Sequence, residues 1–334
     1  MGKLEIVMKG RYISLLLALL SVTACYEGYV KDYEVQGVGF ANPTDVRSVI
    51  VGEKMEFSTG IALGGVISNP VDRQVTFGVD YSLVNEHTYE SFLYHKFSYI
   101  QNLFKSVPAI QALPASQYEL TTVGGAAGRV IIPAGSHLGV ITISLSDAFL
   151  ADVANRYPRY VIPLRIEDAG GLSIISGHES TVLGVRFECC LFGNWWHGGV
   201  AYTEGTDPQT IRYRMEIPQS DSKVWTLTTT GPNSVTSNAC GPDLNTSSPQ
   251  MSLTLNADGS ILVAAVAGAD HAVSPDGESR LERASLLQDR KIYLSYQYDD
   301  TEGKTWHVRD TLVFRNRLRD GVNEWMDENP KKYQ

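Results

Sequence analysis

Apolar and polar residues alternate along most of this chain with the period of a strand. Val75, Phe77, Val79 and Tyr81 share one face of a run, and Ile141, Ile143 and Leu145 share one face of another. Successive strand side chains point to opposite faces, so such runs predict strands buried on one side. Residues 130–132, 160–167 and 181–188 supply three more candidates, bounded by turn residues such as Pro133-Ala134-Gly135-Ser136. Further on, Ile211, Tyr213, Met215 and Ile217 alternate with Arg212, Arg214 and Glu216. Leu253 and Leu255 lead through Asn256-Ala257-Asp258-Gly259 to Ile261 and Val263, the pattern of a hairpin. A second hairpin sets Ile292, Leu294, Tyr296 and Tyr298 against Trp306, Val308, Leu312 and Phe314 around the loop 299–304. One segment keeps another period. Tyr89, Phe92, Leu93, Phe97, Ile100, Leu103 and Phe104 recur at three and four, which predicts one inserted amphipathic helix between His87 and Phe104. A short helix is expected near residues 318–328, and residues 232–249 read as a long polar loop.

These elements describe an all-β chain. With 334 residues it divides into two domains, the first a β-sandwich over 36–189. The second, over 190–334, is an antiparallel sandwich or barrel that begins near Cys190-Leu191-Phe192-Gly193. Hydrophobic residues make up 43% and charged residues only 19%, which excludes a disordered chain, a coiled coil and a Glu/Lys-rich bundle. The formal charge of −9 argues against nucleic acid as a partner.

The amino end carries a targeting pattern. Lys9 and Arg11 precede the apolar run from Tyr12 to Leu20, which closes on Ser21-Val22-Thr23-Ala24-Cys25. A basic start, a short apolar core and small residues describe a secretory signal peptide over residues 1–24, its apolar core too short to span a bilayer as a helix. Met8, directly before Lys9, would also suit as the start. Val22-Thr23-Ala24-Cys25 resembles the lipobox of bacterial lipoproteins. That resemblance implies a lipid-modified Cys25 as the first mature residue, with 25–35 as anchor and tether, and membrane contact through the lipid alone. Removal of residues 1–24, where Lys3, Lys9 and Arg11 outweigh Glu5, takes the charge to −11. Glu27, Asp32 and Glu34 behind the anchor resemble the export signal that sends Bacteroidetes lipoproteins to the outer face of the outer membrane.

Three longer motifs carry a family resemblance. Leu113-Pro114-Ala115-Ser116-Gln117-Tyr118, Ile132-Pro133-Ala134-Gly135 and Tyr160-Val161-Ile162-Pro163-Leu164-Arg165-Ile166 match, in order, an LPxxxY strand, an IPAG turn and a YxLPLxI strand. Together they resemble the Ig-like amino-terminal domain of a large group of Bacteroidetes surface lipoproteins. Ile162 stands where that group usually has Leu, and the stretch from Val84 to Phe104 is longer than its usual connection. The second half is similar to the all-β domain often paired with it. The resemblance implies a cell-surface protein associated with outer-membrane glycan importers and with adhesion or glycan binding. Importer proteins are therefore implied partners beside the polysaccharide or oligosaccharide itself.

Catalytic signatures are missing: there is no G-x-S-x-G elbow, H-E-x-x-H pair, P-loop or G-x-G-x-x-G fingerprint. Seven His are scattered without i,i+4 pairing. No cofactor is implied, and the expectation is a non-enzymatic protein. Sugar recognition needs an aromatic face for the C–H side of a pyranose and polar groups for its hydroxyls. Trp195-Trp196-His197 is the candidate platform, and Trp225 joins it as a candidate. In an extended segment Trp195 and Trp196 point to opposite faces, so one can be core and the other exposed. Trp306 and Trp325 are alternatives, although Trp306 shares an apolar face with Val308 and Leu312 and is expected to be buried. Asp299, Asp300 and Glu302 offer oxygen for a weak Ca²⁺ candidate, without EF-hand spacing. Cys189, Cys190 and Cys240 carry no metal or catalytic signature; they read as buried inert thiols, with one bridge to Cys240 left open. Glycan capture or adhesion is the leading function. A structural or protein-interacting importer accessory is the alternative, and a glycoside hydrolase the third.

Overall fold

A computed structural model describes residues 33, 36–125, 128–214, 223–242 and 244–327. The leader, the expected anchor Cys25 and nearly all of the tether lie outside the described residues. Strands β1 (Gly37–Phe40), β2 (Thr44–Ile50), β3 (Glu56–Gly64) and β4 (Arg73–Val79) come first. Helices α1 (Glu86–Leu93) and α2 (Ser98–Phe104) follow. Then come β5 (Tyr118–Thr122), β6 (Arg129–Ile132), β7 (Leu138–Leu145), β8 (Tyr160–Asp168) and β9 (Ser180–Glu188). One sheet runs β1-β3-β7-β5, with Ser173–Ile174 beside β1, and the other runs β2-β9-β8-β4-β6. They form a β-sandwich. Ile61, Ile141 and Ile143 from one sheet meet Val75, Ile162, Leu164 and Val185 from the other, all fully buried. Each such side chain contributes about 1.5–3 kcal/mol on leaving water.

β8 and β9 are apolar almost without alternation, because their sheet is covered on both faces. The second cover is the helical insert. Val46, Val161 and Val182 point outward from β2, β8 and β9 and pack against Phe92, Ile100 and Phe104. The single helix expected from the period is in fact two. Asn85 caps α1 by accepting from Thr88 N at 3.0 Å, and the chain then breaks at residues 94–97, where His95 Nδ1 accepts from Phe97 N at 3.1 Å. The break folds Phe92 onto Phe104, ring centroids 4.1 Å apart. On one straight helix these rings would lie roughly 18 Å apart along the axis. Burial of both against the same sheet face decides for the bend.

The second half is a large curled sheet with a small two-stranded ribbon, Ala239–Cys240 paired with Leu244–Asn245, apart from it. The strands of the sheet are β10 (Gly193–Tyr202), β11 (Thr210–Tyr213), β12 (Lys223–Gly231), β13 (Ser234–Ser237), β14 (Met251–Leu255) and β15 (Ile261–Ala265). After them come β16 (Ser274–Pro275), β17 (Arg280–Glu282), β18 (Lys291–Asp299), β19 (Thr305–Arg319) and β20 (Val322–Glu324). The order is β15-β14-β13-β12-β10-β19-β18-β16, with β11 beside β10, β17 beside β18 and β20 beside β19. Ile261 N donates to Ser279 O at 2.8 Å and Leu281 N to Gly259 O at 2.9 Å, so the β14–β15 hairpin reaches back to the β17 end. The result is a nearly closed barrel around Trp195, Trp225, Leu227, Val235, Leu253, Ile292 and Leu312.

Three local expectations change here. The terminal segment is a hairpin: β19 runs on to Arg319, turns through Asp320 (φ 50°) and Gly321 (φ 79°), and returns as β20. Two successive left-handed residues suit the twist of a two-residue hairpin, and Asp-Gly is a favoured pair for it. The polar stretch 232–249 contains β13, whose Val235 and Ser237 are fully buried. β11 ends at Tyr213, Ile211 is exposed, and the rest of the alternating run, with Met215 and Ile217, lies outside the described residues.

The sheets change over between Glu188 and Gly193. Across the junction Glu53 takes a forked bond from Arg317, at 3.0 and 2.9 Å, and a third contact from Arg290 at 2.6 Å. Burial raises the Glu53 pKa, but Arg317 and then Arg290 outweigh it and hold the carboxyl down at about 2. Ser48 donates twice to Asp320, from N at 2.8 Å and from Oγ at 2.6 Å. Cys189, Cys190 and Cys240 are buried free thiols, so the bridge left open by the sequence is not made.

Candidate binding face on the second sheet

Alternation along β10 sends its residues to two different places. Trp195 and His197 point into the barrel and are fully buried; Trp196 and Tyr202 point outward and are half-buried. Trp225 on β12 faces Trp195 across the strand pair and is also core. Of the platform named from sequence, then, Trp196 alone is presented to solvent. Trp195 donates its indole N–H to Leu191 O at 3.0 Å and meets Phe314 edge-on, which closes it to an external sugar.

The inward group is a polar network inside an apolar barrel. Asp310 lies on β19 between Val308 and Leu312, on the face that reads as apolar. Its Oδ2 accepts from Tyr296 Oη at 2.7 Å, and its Oδ1 accepts from Tyr213 Oη. His197 Nε2 stands 3.0 Å from Oδ1, off the direction a hydrogen bond needs, and the imidazole stacks on Trp225 at 4.1 Å. Burial and the adjacent Asp310 charge push both tyrosine hydroxyls far above their ordinary range. Burial, with Asp310 adding to it, also lifts the Cys240 thiol to about 12. The network leaves room for little else. A Cβ at Gly199 would fall 2.4 Å from Arg309 O and 2.7 Å from Asp310 Oδ1. Chemically it satisfies the buried hydroxyls of Tyr213 and Tyr296 and offers nothing to a polymer outside.

The outward face is different. Strand register sets Tyr202 beside His307 and Gln297, then Gly198 beside Thr311 and Tyr293, then Trp196 beside Val313 and Lys291. Trp196 and Tyr202 are six residues apart on β10, roughly 20 Å, and Trp196 and Tyr293 are separated by roughly 12 Å across two strand spacings. Each ring carries an arginine. Arg315 lies 4.8 Å from the Trp196 ring centre, Arg280 lies 4.4 Å from that of Tyr293, and Arg309 lies 5.9 Å from that of Tyr202. Asp276 Oδ2 receives Arg309 Nη1 at 2.7 Å and sits 2.9 Å from His307 Nδ1. Burial raises its pKa, but the bonds and charges of His307 and Arg309 together outweigh it and hold the carboxyl below the ordinary carboxylate range. Tyr293 donates to Glu282 at 2.8 Å.

The remaining candidates lie elsewhere. Trp306 is half-buried at the barrel end rather than fully buried, with Nε1 donating to Asp300 Oδ2 at 2.9 Å. Its place at the start of β19, where the barrel opens, leaves part of the ring uncovered. Trp325 follows β20 and is exposed. Asp300 Oδ1 accepts from Glu302 N and Lys304 N at 2.9 Å each, and Asp299 Oδ1 accepts from Thr305 Oγ1 at 2.6 Å. Asp299 and Asp300 therefore spend carboxylate oxygens on their own turn. Among the described residues no group of three or more His, Cys, Asp or Glu is placed to hold a metal ion. Sequence reading missed Tyr202 and Tyr293. The signal was parity: Tyr202 shares it with Trp196, and Tyr293 falls opposite the apolar set Ile292, Leu294 and Tyr296.

Comparison with known proteins agrees with the architecture. A family model described as "-like, N-terminal domain" matches residues 30–173, the part that bears the LPxxxY, IPAG and YxLPLxI motifs. A Bacteroides ovatus protein of unknown function has a similar crystal structure, with TM-score 0.61, 22% identity, and coverage of 89% of this chain and 98% of that one. At this identity the likeness shows the fold alone. A second Bacteroides ovatus protein of unknown function has TM-score 0.44 and 15% identity over 87% of this chain and 100% of that one. An auxiliary nutrient binding protein from Bacteroides thetaiotaomicron has TM-score 0.37 and 14% identity over 84% and 96%. The last two scores are too low to carry an argument. The family match covers the first sandwich, and the Bacteroides ovatus structure shares the fold of both halves. No curated protein matches this chain.

Proposed function

We propose that this chain is a non-catalytic, lipid-anchored protein of the outer cell surface that binds glycan on the outward face of β10, β19 and β18. The supporting observation is the segregation of aromatic residues on β10. Trp195 is spent on the core, whereas Trp196, Tyr202 and the neighbouring Tyr293 stand on one outward surface among Thr311, Gln297 and arginine side chains. Rings interleaved with fixed donors are what an extended, hydroxyl-rich chain requires. The apolar run ending at Cys25 supports the anchor. Native affinity electrophoresis through gels containing plant, host and microbial polysaccharides tests the reading. Retardation by at least one polymer is expected, reduced by Trp196→Ala and Tyr293→Ala with folding intact. If no polymer in a broad panel retards the protein, the glycan reading fails and pull-down from outer membranes becomes the next experiment.

A further inference from the structure

The charge on this face is the reverse of the charge on the whole chain. The protein carries −9, yet the outward rows of β11, β10, β19, β18 and β17 bring together Arg212, Arg280, Lys291, Arg309 and Arg315. The carboxylates that meet them are Asp276, held by Arg309 and His307, and Glu282, bonded to the Tyr293 hydroxyl. Arg212, Arg280 and Arg315 are exposed, and among the described residues no carboxylate holds any of them. Arg280 and Arg315 are the two that lie over Tyr293 and Trp196.

Stacking fixes the plane of a guanidinium and leaves its N–H edge to solvent. A neutral pyranose would have to displace those guanidinium groups to reach the rings. A sugar bearing a carboxylate or sulfate would meet them as they stand, through paired charge-assisted hydrogen bonds along the exposed edge. We infer that the face recognises an acidic glycan, a polymer of uronic acids or of sulfated sugars, with Arg280 and Arg315 as its anion-binding groups and Tyr293 and Trp196 as their seats. This rests on the glycan reading above and gives it a substrate class. The net negative charge of the remaining surface repels polyanions in general, so the contact is confined to this patch.

The test uses the whole purified protein in affinity gels containing polygalacturonate, its carboxyl-reduced counterpart, chondroitin sulfate, laminarin or oligo-dT. Mobility is taken relative to a gel without polymer, so that charge changes in variants cancel. Retardation by polygalacturonate or chondroitin sulfate is expected, absent with the carboxyl-reduced polymer and weakened by NaCl. The R280Q/R315Q variant should bind about tenfold more weakly or worse, with an unchanged unfolding midpoint. Retardation by neutral polymers alone would overturn the acidic substrate and leave glycan binding standing. Equal retardation by oligo-dT would reduce the patch to general polyanion affinity and overturn it too. Retardation by nothing would sink both readings together.

Discussion

Asp310 Oδ2 accepts the hydroxyl proton of Tyr296 at 2.7 Å, at the centre of a barrel whose other inward residues on β18 and β19 are apolar. Tyr296 in turn receives Gly241 N at 2.7 Å, so the pair ties β18, β19 and the chain after β13 into one network. Asp310→Ala would strand the two buried hydroxyls of Tyr213 and Tyr296. It is expected to cost about 3–5 kcal/mol of stability by chemical denaturation, as removal of one partner of a buried charged contact does. Tyr296→Phe, which strands Gly241 N and one carboxylate oxygen, should cost about 1–3 kcal/mol. Losses within a few tenths of wild type would mean that water serves the network instead.

The junction between the two halves should be acid-sensitive through Glu53. Its folded pKa, about 2, lies below the ordinary 4.5, so its stabilisation is present above the ordinary value and disappears as pH falls toward 2. That displacement corresponds to at most about 3 kcal/mol. Glu53→Gln should therefore be less stable than wild type near neutral pH, and the gap should close on acidification. Other carboxylates are common to both proteins and drop out of the comparison. Denaturation midpoints at several pH values would show whether the gap narrows; a constant gap would contradict the ion-pair account.

Phe104 is fully buried, stacks on Phe92 and lies 3.1 Å from where a Cβ on Gly184 would sit. Phe104→Ala is expected to cost about 3–5 kcal/mol in the thermal or denaturant transition. A near-neutral result would show that the helical insert is docked loosely and contributes little to the sandwich.

The thiols differ in reactivity. The bond from Cys189 holds the Cys190 thiol below its ordinary range against the effect of burial, and Arg283 and Arg290 add to this. The bond to Cys190 and burial push Cys189 up, and burial pushes Cys240 up. Cys190 also borders a small cleft of about 80 Å³ with Glu53 and Arg283. Iodoacetamide followed by peptide mass mapping should label Cys190 first, and more slowly in Arg283→Ala, with Cys189 and Cys240 protected until unfolding. Labelling of Cys240 in the native protein would be inconsistent with its placement.

Much of this fold was legible because local pattern and burial coincide. Ile141, Ile143 and Leu145 alternate because one face of β7 is core, and the hairpin 291–319 was readable from the same parity. Failures came where tertiary contact overrides period. Of seven apolar residues spaced for one helix, six sit on two and Phe97 falls in the break, because Phe92 and Phe104 must reach the same patch of β2 and β9. Asp320-Gly321 sits inside a charged stretch that looked helical, and pairing with β19 made it a hairpin.

Sequence by itself determined those strands whose alternation is strong, among them β4, β7, β18 and β19, and the parity that sends Trp195 and Trp196 to opposite faces, since each depends only on neighbours along the chain. Only the tertiary structure decided which of the two faces is core, that Asp310 and His197 lie within it, and that Arg280, Arg315, Trp196 and Tyr293 share one surface. The reason is physical. Those residues are brought together by hydrogen-bond register across strands up to about 120 positions apart, and register is set by the closure of the whole barrel.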